Sequence, residues 1–201
     1  YVSGPLSDKI AISFAGNFKR RDGYFNDLFR GEKVHDLVGY GARAKLLFEA
    51  SDDLSIALAA DYDYRDDPIG TLQAPINGYR GKTATSIDRQ GPYDYIADIY
   101  PSQRLRNYGF SGRIEYDLGG VKLMSLSAYR AFSAVSQIEA DTTPFRVSFF
   151  NNDEHGNVFS QELQLTSDNS GPLNWIAGLY YADQISGYRP LVVNDVTTIN
   201  L

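Results

Sequence analysis

The stretch Asp66–Gln103 is rich in tyrosine and basic side chains that suit the binding of a polar, rigid ligand or a chelate. Phenol rings and guanidinium groups combine a flat contact surface with hydrogen-bond donors. Connections of this length are usually functional or disordered. The alternative is an ordinary connection whose side chains pack on their neighbours. The candidate ligand-binding residues are Tyr79, Arg80, Arg89, Tyr93, Tyr95 and Tyr100, with Lys82 among them.

Two further groups of polar residues offer weaker chemistry. Asn151–His155 is rich in oxygen and could bind a hard cation such as calcium, although it lacks the ligand spacing of a known calcium loop. Asp61 and Asp63 share one strand face, where a catalytic carboxylate pair is conceivable but an acidic patch is the simpler interpretation. No nucleophile-elbow, zinc-protease or phosphate-loop motif occurs. The sequence therefore predicts no enzyme, no catalytic residue and no cofactor.

Composition excludes several other classes of protein. The 201 residues contain no cysteine and two histidines, which argues against disulfides, thiolate metal sites and histidine-built metal sites. A net charge of −6 argues against nucleic-acid binding through phosphate contacts. No run approaches the roughly 18 apolar residues of a membrane-spanning helix. The 15 tyrosines, 11 phenylalanines and 18 glycines favour an all-β chain.

Alternation of apolar and polar residues predicts seven strands of about 10 to 14 residues each. Soluble strands are usually about 5 to 6 residues long, whereas tilted strands that cross a bilayer need about 9 to 11. The strands begin near Lys9, Val38, Leu54, Tyr108, Val121, Phe159 and Leu173.

The connections between these strands alternate between short and long. The short ones are Gly4–Asp8, Ser51–Asp53, Leu118–Gly120 and Asp168–Pro172, and each has turn chemistry. The long ones are Asp22–Asp36, Asp66–Gln103 and Gln137–Asn157. Outer-membrane barrels have short turns on one side of the membrane and long loops on the other. We therefore expect an antiparallel transmembrane β-barrel with all short turns at one end.

In such a barrel the apolar strand face meets lipid and the polar face lines the lumen. We expect ten apolar residues to point outward: Ile10, Ile12, Phe14, Leu46, Ile56, Leu58, Phe110, Ile114, Leu163 and Leu179. Aromatic residues near the strand ends, among them Tyr62, Tyr108, Tyr116 and Trp175, match the interfacial girdles of such barrels. The predicted lumen-facing residues are Arg43, Lys45, Asp61, Asp63, Arg113, Glu115 and Glu162.

Five segments in order resemble the barrel of TonB-dependent outer-membrane receptors, in the branch often described as siderophore receptors. They are Gly4–Leu28, Ala42–Tyr62, Ser125–Arg130, Phe159–Ser167 and Gly171–Tyr181. The characteristic pieces are a GPLSD turn before a strand that leads to RDGY, a later SQELQL strand, and WIAGLYY. Together they cover nearly the whole chain apart from the long connection.

The resemblance implies that residues 1–201 are part of a 22-stranded barrel domain, with a plug domain before residue 1 and the final strands absent. It implies a bacterial outer-membrane location, contact with lipid and with the plug, and a TonB complex that binds the missing N-terminal region. It further implies uptake of a scarce small molecule, such as a ferric siderophore, cobalamin or a glycan.

Two other functions remain open on the sequence. A passive porin or structural barrel would share the strand pattern but lack a plug upstream. A soluble all-β binding module would bury the apolar face in a core between two sheets and expose the polar face to water.

Overall fold

The computed structural model of the protein describes residues 1–68, 91–140, 146, 148–167 and 173–195. This part of the chain is built from strands, and it contains no helix long and apolar enough to cross a membrane. The strands are β1 (Val2–Ser7), β2 (Ile10–Arg21), β3 (Phe25–Asp27), β4 (Glu32–Val34), β5 (Leu37–Glu49), β6 (Leu54–Asp66), β7 (Asp94–Tyr95), β8 (Ser102–Asp117), β9 (Val121–Glu139), β10 (Ser148–Ser167) and β11 (Ile176–Asp195).

Eight of these strands form one large antiparallel sheet in the order β1-β2-β5-β6-β8-β9-β10-β11. Every long strand pairs with the next long strand along the chain, so the sheet is a meander. The short strands form a second sheet in the order β4-β3-β7. The large sheet is not closed in the described part, so the number of strands in a complete barrel stays a prediction.

The short turns lie together at one end of the large sheet. Because consecutive strands are antiparallel, the turns β1–β2, β5–β6, β8–β9 and β10–β11 all fall at the same end. The connections that carry β3, β4 and β7 fall at the opposite end. The predicted sorting of the turns is therefore confirmed.

The predicted seven strands were too few, because β1 was interpreted as part of a turn. Gly4 and Pro5 suggested that turn, yet both lie within β1, and the turn itself is at Asp8 and Lys9. Proline is tolerated there because β1 is at the edge of the described sheet and its pairing with β2 shifts register between Pro5 and Ser7.

The predicted long connection Gln137–Asn157 is wrong. β9 continues to Glu139 and β10 begins at Ser148, so most of that connection is paired strand. Asn151–His155 therefore lies within β10, where each residue pairs with β9, and not in a loop that could wrap around a calcium ion.

The apolar face of the large sheet is exposed to solvent, whereas the apolar face of a soluble sandwich is buried. On β8, Tyr108, Phe110 and Ile114 are exposed; on the other face Asn107 and Ser111 are partly covered, and Arg113 and Glu115 are exposed. Phe110 keeps 57% of its surface exposed and Leu179 keeps 76%. The apolar face is thus not buried in a core between two sheets.

The ten residues expected to point outward support the same conclusion. Seven are exposed, Ile10, Leu46 and Ile56 are half-buried, and none is buried. For those three the expected exposure is met only in part. The exposed seven are Ile12, Phe14, Leu58, Phe110, Ile114, Leu163 and Leu179.

Candidate functional site

The small sheet and the segment that follows it form a cap that we call the loop roof, made of 22–36 and 91–101. Its strands come from two separate connections at the end of the large sheet opposite the short turns. β3 pairs antiparallel with β4, and it pairs parallel with β7, so that Asn26 lies opposite Asp94. The side-chain amide of Asn26 donates to Asp94 Oδ1 at 2.7 Å, and its backbone N–H donates to the Tyr93 carbonyl at 2.8 Å. The two connections are therefore joined into one unit.

Arg30 holds the two halves of the loop roof together. Its guanidinium Nη1 donates to Asp27 Oδ2 at 2.6 Å and to the Ala97 carbonyl at 3.0 Å, and Nη2 donates to the Asp98 carbonyl at 2.6 Å. The Asp27 side chain is fully buried and also accepts the backbone N–H of Phe29 at 2.9 Å. A buried carboxylate with a guanidinium partner is a charge-assisted contact, which is stronger than a neutral hydrogen bond.

An aromatic cluster lies beside this contact. The ring centroid of Phe25 is 4.8 Å from Tyr24, 4.6 Å from His35 and 5.7 Å from Tyr93. Phe25 packs against Val34 and Ala97, which are fully buried. Tyr93 is exposed at the edge of the cluster, so its ring is available to a ligand from solvent.

The loop roof is linked to the polar face of the large sheet through Asp67. Arg65 Nε donates to Asp67 Oδ2 at 3.1 Å, and Arg21 Nη2 lies 3.5 Å from Asp67 Oδ1. Arg21 also donates to the His35 carbonyl at 3.2 Å, and its guanidinium carbon lies 5.0 Å from the centre of the Tyr24 ring. One buried carboxylate therefore joins strands β2 and β6 to the aromatic cluster.

His35 is buried and adopts a left-handed backbone conformation with φ of 71°. Burial lowers its pKa from 6.5 to about 4, with a further lowering by the Arg21 charge that Asp67 and Asp36 partly oppose. A charged imidazolium is disfavoured in this position because the ring has little contact with water. His35 is therefore neutral at pH 7.

Tyr100 lies on the other side of Arg30, whose guanidinium carbon is 5.6 Å from the Tyr100 ring centre. Burial, together with the nearby charges of Asp36 and Glu32, raises the pKa of the Tyr100 phenol. The phenol thus keeps its proton and acts as a donor.

The structure brings three of the predicted ligand-binding residues, Tyr93, Tyr95 and Tyr100, into the loop roof. Tyr95 lies in β7 opposite Asp27. Tyr79, Arg80, Lys82 and Arg89 lie outside the described residues. The binding role of all of these residues stays a prediction.

The register of the large sheet places all seven predicted lumen-facing residues on its polar face. Arg43 lies opposite Asp61, Ser55 lies opposite Glu115, and Leu126 lies between Arg113 and Glu162. Arg113 also forms an ion pair with Glu115, two residues along β8. That this face lines a lumen stays a prediction.

Glycines on the polar face let side chains meet across an intervening strand, in arrangements that we call glycine bridges. Arg130 of β9 reaches over Gly109 of β8 to Asp61 of β6, with Nη2 at 2.8 and 3.0 Å from the two carboxylate oxygens. A Cβ on Gly109 would lie 3.0 Å from that nitrogen. A Cβ on Gly41 would lie 2.9 Å from both the Asn17 amide nitrogen and an Asp63 carboxylate oxygen. Asp61 thus belongs to an ion pair that spans three strands, whereas Asn17 and Asp63 approach the open space at Gly41 from the two neighbouring strands.

Sequence reasoning missed Asp27, Arg30, His35 and Arg130. Arg130 ends the SLSAYR segment, but no clear alternation assigned a face to that strand. Arg30 contacts carbonyls 67 and 68 residues away, which no local pattern indicates. The Asp27 and Arg30 spacing of three residues was the one available signal.

No cluster of three or more histidine, aspartate or glutamate side chains suited to a metal ion occurs in the part of the chain that the structure describes. The arrangement places aromatic rings, guanidinium groups and carboxylates in the loop roof and along the polar face of the large sheet.

The protein is similar in structure to the ferric yersiniabactin uptake receptor FyuA from Yersinia pestis, with a TM-score of 0.66 at 17% sequence identity. The chain shares the fold of part of that barrel protein. The similarity covers 92% of this chain but 28% of the FyuA chain, so this chain spans well under half of that receptor's length. No protein-family model matches the chain. A barrel fold accounts for the antiparallel meander and for the sorting of the turns.

Proposed function

We propose that the chain is part of an outer-membrane receptor that takes up a scarce small molecule, a ferric siderophore or a similar chelate, with energy relayed by TonB. The observation that carries the proposal is the exposure of the apolar face, together with the loop roof at the end of the sheet opposite the short turns. A lipid-facing barrel wall requires an exposed apolar face.

The similarity to a ferric chelate receptor supports the choice of ligand class. The loop roof supports it chemically, because flat aromatic rings and guanidinium groups suit a rigid, polar chelate. Tyr93 supplies an exposed ring, and Arg21 lies under the same cluster. We assign no catalytic step to the chain.

The proposed partners follow from the two faces. The apolar face contacts outer-membrane lipid, and the polar face surrounds a plug domain of the full-length protein. The TonB complex contacts a segment outside the 201 residues. The small-molecule ligand enters from the end of the sheet that carries the loop roof.

Uptake by cells that produce the full-length protein tests this function. Cells under iron limitation are given a panel of ⁵⁵Fe-labelled chelates, with and without collapse of the proton gradient. We expect energy-dependent uptake of at least one chelate. Uptake that persists without the gradient would identify a passive porin, and absence of uptake of every chelate would refute a chelate receptor.

A matched pair of tyrosine substitutions connects the uptake to the loop roof. Tyr93→Ala removes an exposed ring of the aromatic cluster and is expected to weaken chelate binding by about tenfold, as loss of an aromatic hot spot does. Tyr116→Ala removes a ring of similar exposure at the short-turn end and is expected to leave the affinity unchanged. Equal losses of affinity in the two variants would show that the loop roof does not bind the chelate.

A further inference from the structure

Four uncharged residues, which we call the polar notch, interrupt the apolar face of the large sheet. Gly112 of β8 lies opposite Ser127 of β9, and Ser127 lies opposite Gln161 of β10. Ser125 is the fourth member and lies opposite Ile114, a residue of the apolar face. The three polar side chains are half-buried. Three neighbouring strands therefore contribute to one continuous patch.

The polar notch is midway between the two predicted aromatic girdles. On β8, Gly112 is four residues from Tyr108, on the side of the loop roof, and four residues from Tyr116, at the short-turn end. Both tyrosine rings are exposed, and rings of this kind mark the two interfaces of a membrane. In an outer-membrane barrel, the notch is accordingly near the centre of the hydrocarbon layer, where polar groups are least tolerated.

The polar side chains of the notch bond to one another but keep unused capacity. Gln161 Nε2 donates to Ser125 Oγ at 3.0 Å and to the Glu162 carbonyl at 3.1 Å, and the Ser127 hydroxyl donates to Gln161 Oε1. A hydroxyl has one donor and two acceptor sites, and an amide oxygen has two acceptor sites. The Ser125 hydroxyl donates to no group of the described residues, and the oxygens of Ser127 and Gln161 can each accept a further bond. Lipid chains cannot supply these partners.

The surroundings of the notch are largely apolar. Leu58 of β6 leans over the notch, since a Cβ on Gly112 would lie 3.3 Å from Leu58 Cδ2. The nearest charged residue of the same face in the described part of the chain is Asp183 of β11. It lies opposite Phe159, two residues further towards the loop roof than the notch, and so at its margin.

We propose that the polar notch is the centre of an interface between two copies of the protein in the membrane. The inference rests on the proposed function, because it takes the apolar face to be the lipid-facing one. Two copies related by a two-fold axis along the membrane normal place the same residue at the same depth. Polar groups at mid-depth therefore meet, in a second copy, the donors and acceptors that lipid does not offer.

The chemistry of the notch suits contact with itself. Its side chains are uncharged and combine donors with acceptors, so two identical patches can bond without repulsion, as an isologous contact requires. Between membrane helices, small residues allow close approach, and serine and glutamine form hydrogen bonds across the interface. The same physical reasons apply to two barrel walls that meet at Gly112 and the two serines.

Disulfide crosslinking of the full-length protein in outer membranes tests the interface. The 201 residues contain no cysteine, so a single introduced thiol reports on one position of this part of the protein. The variants Ser125→Cys, Ser127→Cys and Gln161→Cys are oxidised with copper phenanthroline beside the native protein. We expect a covalent dimer in at least one variant, because residues near a two-fold axis face their own copies.

Phe14→Cys is the matched control for crosslinking. Phe14 is exposed on the same face, but it is on β2, four strands from Ser127. Four strand spacings correspond to roughly 19 Å. This variant should remain monomeric under the same oxidation.

The strength of the association is measured by energy transfer between labelled copies in vesicles. In Gln161→Leu/Ser127→Val we expect the dimer Kd to rise by roughly tenfold or more, because the two-fold axis doubles the loss of each hydrogen bond. The polar variant Gln161→Asn/Ser127→Thr is expected to keep the Kd within about tenfold of the native value and below that of the apolar variant. Unchanged thermal unfolding of each variant shows that the fold is intact.

Four results would overturn the interface: no dimer with any of the three cysteine variants, equal crosslinking of Phe14→Cys, an unchanged Kd in the apolar variant, or a crosslinked product that mass spectrometry identifies as a different protein. None of them bears on chelate uptake, because each copy carries its own loop roof, and the apolar variant should take up the chelate as the native protein does. Absence of chelate uptake would in turn leave the crosslinking result standing. The failure of this inference and the failure of the proposed function are thus distinguishable.

Discussion

Removal of the Arg30 guanidinium is expected to open the loop roof while leaving the large sheet folded. Arg30 makes three short contacts, one to the buried Asp27 carboxylate and two to the carbonyls of Ala97 and Asp98. These carbonyls come from the second of the two connections that form the roof. Arg30→Ala therefore removes an ion pair and the link between two distant segments in a single substitution.

The size of the effect follows from the burial of Asp27. Removing one partner of a buried ion pair costs about 3 to 5 kcal/mol, because the other charge is left in a low-dielectric site. Asp27 retains the backbone N–H of Phe29, and the Arg30 side chain is 23% exposed, so the lower end of this range applies. We expect a loss of about 3 kcal/mol, which corresponds to roughly a 150-fold larger population of the open roof.

Hydrogen exchange of the full-length protein, followed by mass spectrometry of peptides that cover 22–36, measures this opening. The reporting amides are Asn26, which donates to the Tyr93 carbonyl, and Gly31, which donates to the Asp27 carbonyl. Protection there should fall by about two orders of magnitude, whereas peptides from β8 and β9 should not change. A loss below about 1 kcal/mol would refute the assigned role of the buried ion pair.

Arg20→Ala serves as the control for charge removal. Arg20 and Asp22 are both largely exposed and lie 3.9 Å apart. An exposed pair of this kind contributes about 0 to 1 kcal/mol, so exchange from the roof should match that of the native protein.

Three further predictions concern the apolar face, the pH response and the glycine bridge. Leu58→Arg is expected to cost about 2 to 4 kcal/mol of folding free energy in phospholipid vesicles, measured by urea titration, because it places a charge in hydrocarbon. Lowering the pH from 7.5 to 5 is expected to loosen the loop roof, since the pKa of His35 is about 4 in the folded protein against 6.5 for an ordinary histidine. As the pH falls, His35 takes up a proton in the unfolded roof before it does so in the folded roof. The free energy that keeps the roof folded is therefore fully present above about pH 6.5 and declines towards pH 4 by at most about 3 kcal/mol. Hydrogen exchange, corrected for the intrinsic rates at each pH, measures this decline. Gly109→Val is expected to displace Arg130 from Asp61, so that adding Asp61→Asn lowers the thermal midpoint no further.

The controls for these predictions use the same chain. Ala128→Arg lies on the polar face between two serines, and it should cost less than about 1 kcal/mol; equal costs for the two arginine variants would contradict the assignment of the faces. In His35→Asn, the asparagine tolerates the positive φ, and the pH dependence should disappear. A pH dependence that persists in this variant would have to come from another group. Fully additive effects of Gly109→Val and Asp61→Asn would show that Arg130 does not need the glycine.

The strands were predictable where one side faced an apolar environment. β6 was predicted over 54–64 and is observed over Leu54–Asp66, because its alternation continues along nearly its whole length. β8 was predicted from Tyr108 but begins at Ser102, since the segment around Arg104 and Arg106 is polar and carries no alternation. The same loss of pattern concealed the first half of β10.

The site was predictable only in part. Tyr93 and Tyr100 were identified by residue type, whereas the Arg30 contacts join segments far apart in the sequence. The shared face of Arg43, Asp61 and Arg113 follows from strand register and could be derived from alternation alone. The Arg130 contact could not, because it depends on an absent side chain on the strand between.

Glycine bridges alter how charge pairs on this sheet are inherited. Neighbouring strands are about 4.8 Å apart, so the backbones of Asp61 and Arg130 are separated by about twice that distance. Gly109 lies between them and contributes no side chain. Selection on the ion pair therefore constrains a residue that makes none of its bonds. Any lineage that acquires a side chain at 109 loses the reason to keep either charge, so the three positions should covary as a triplet at a separation of two strands.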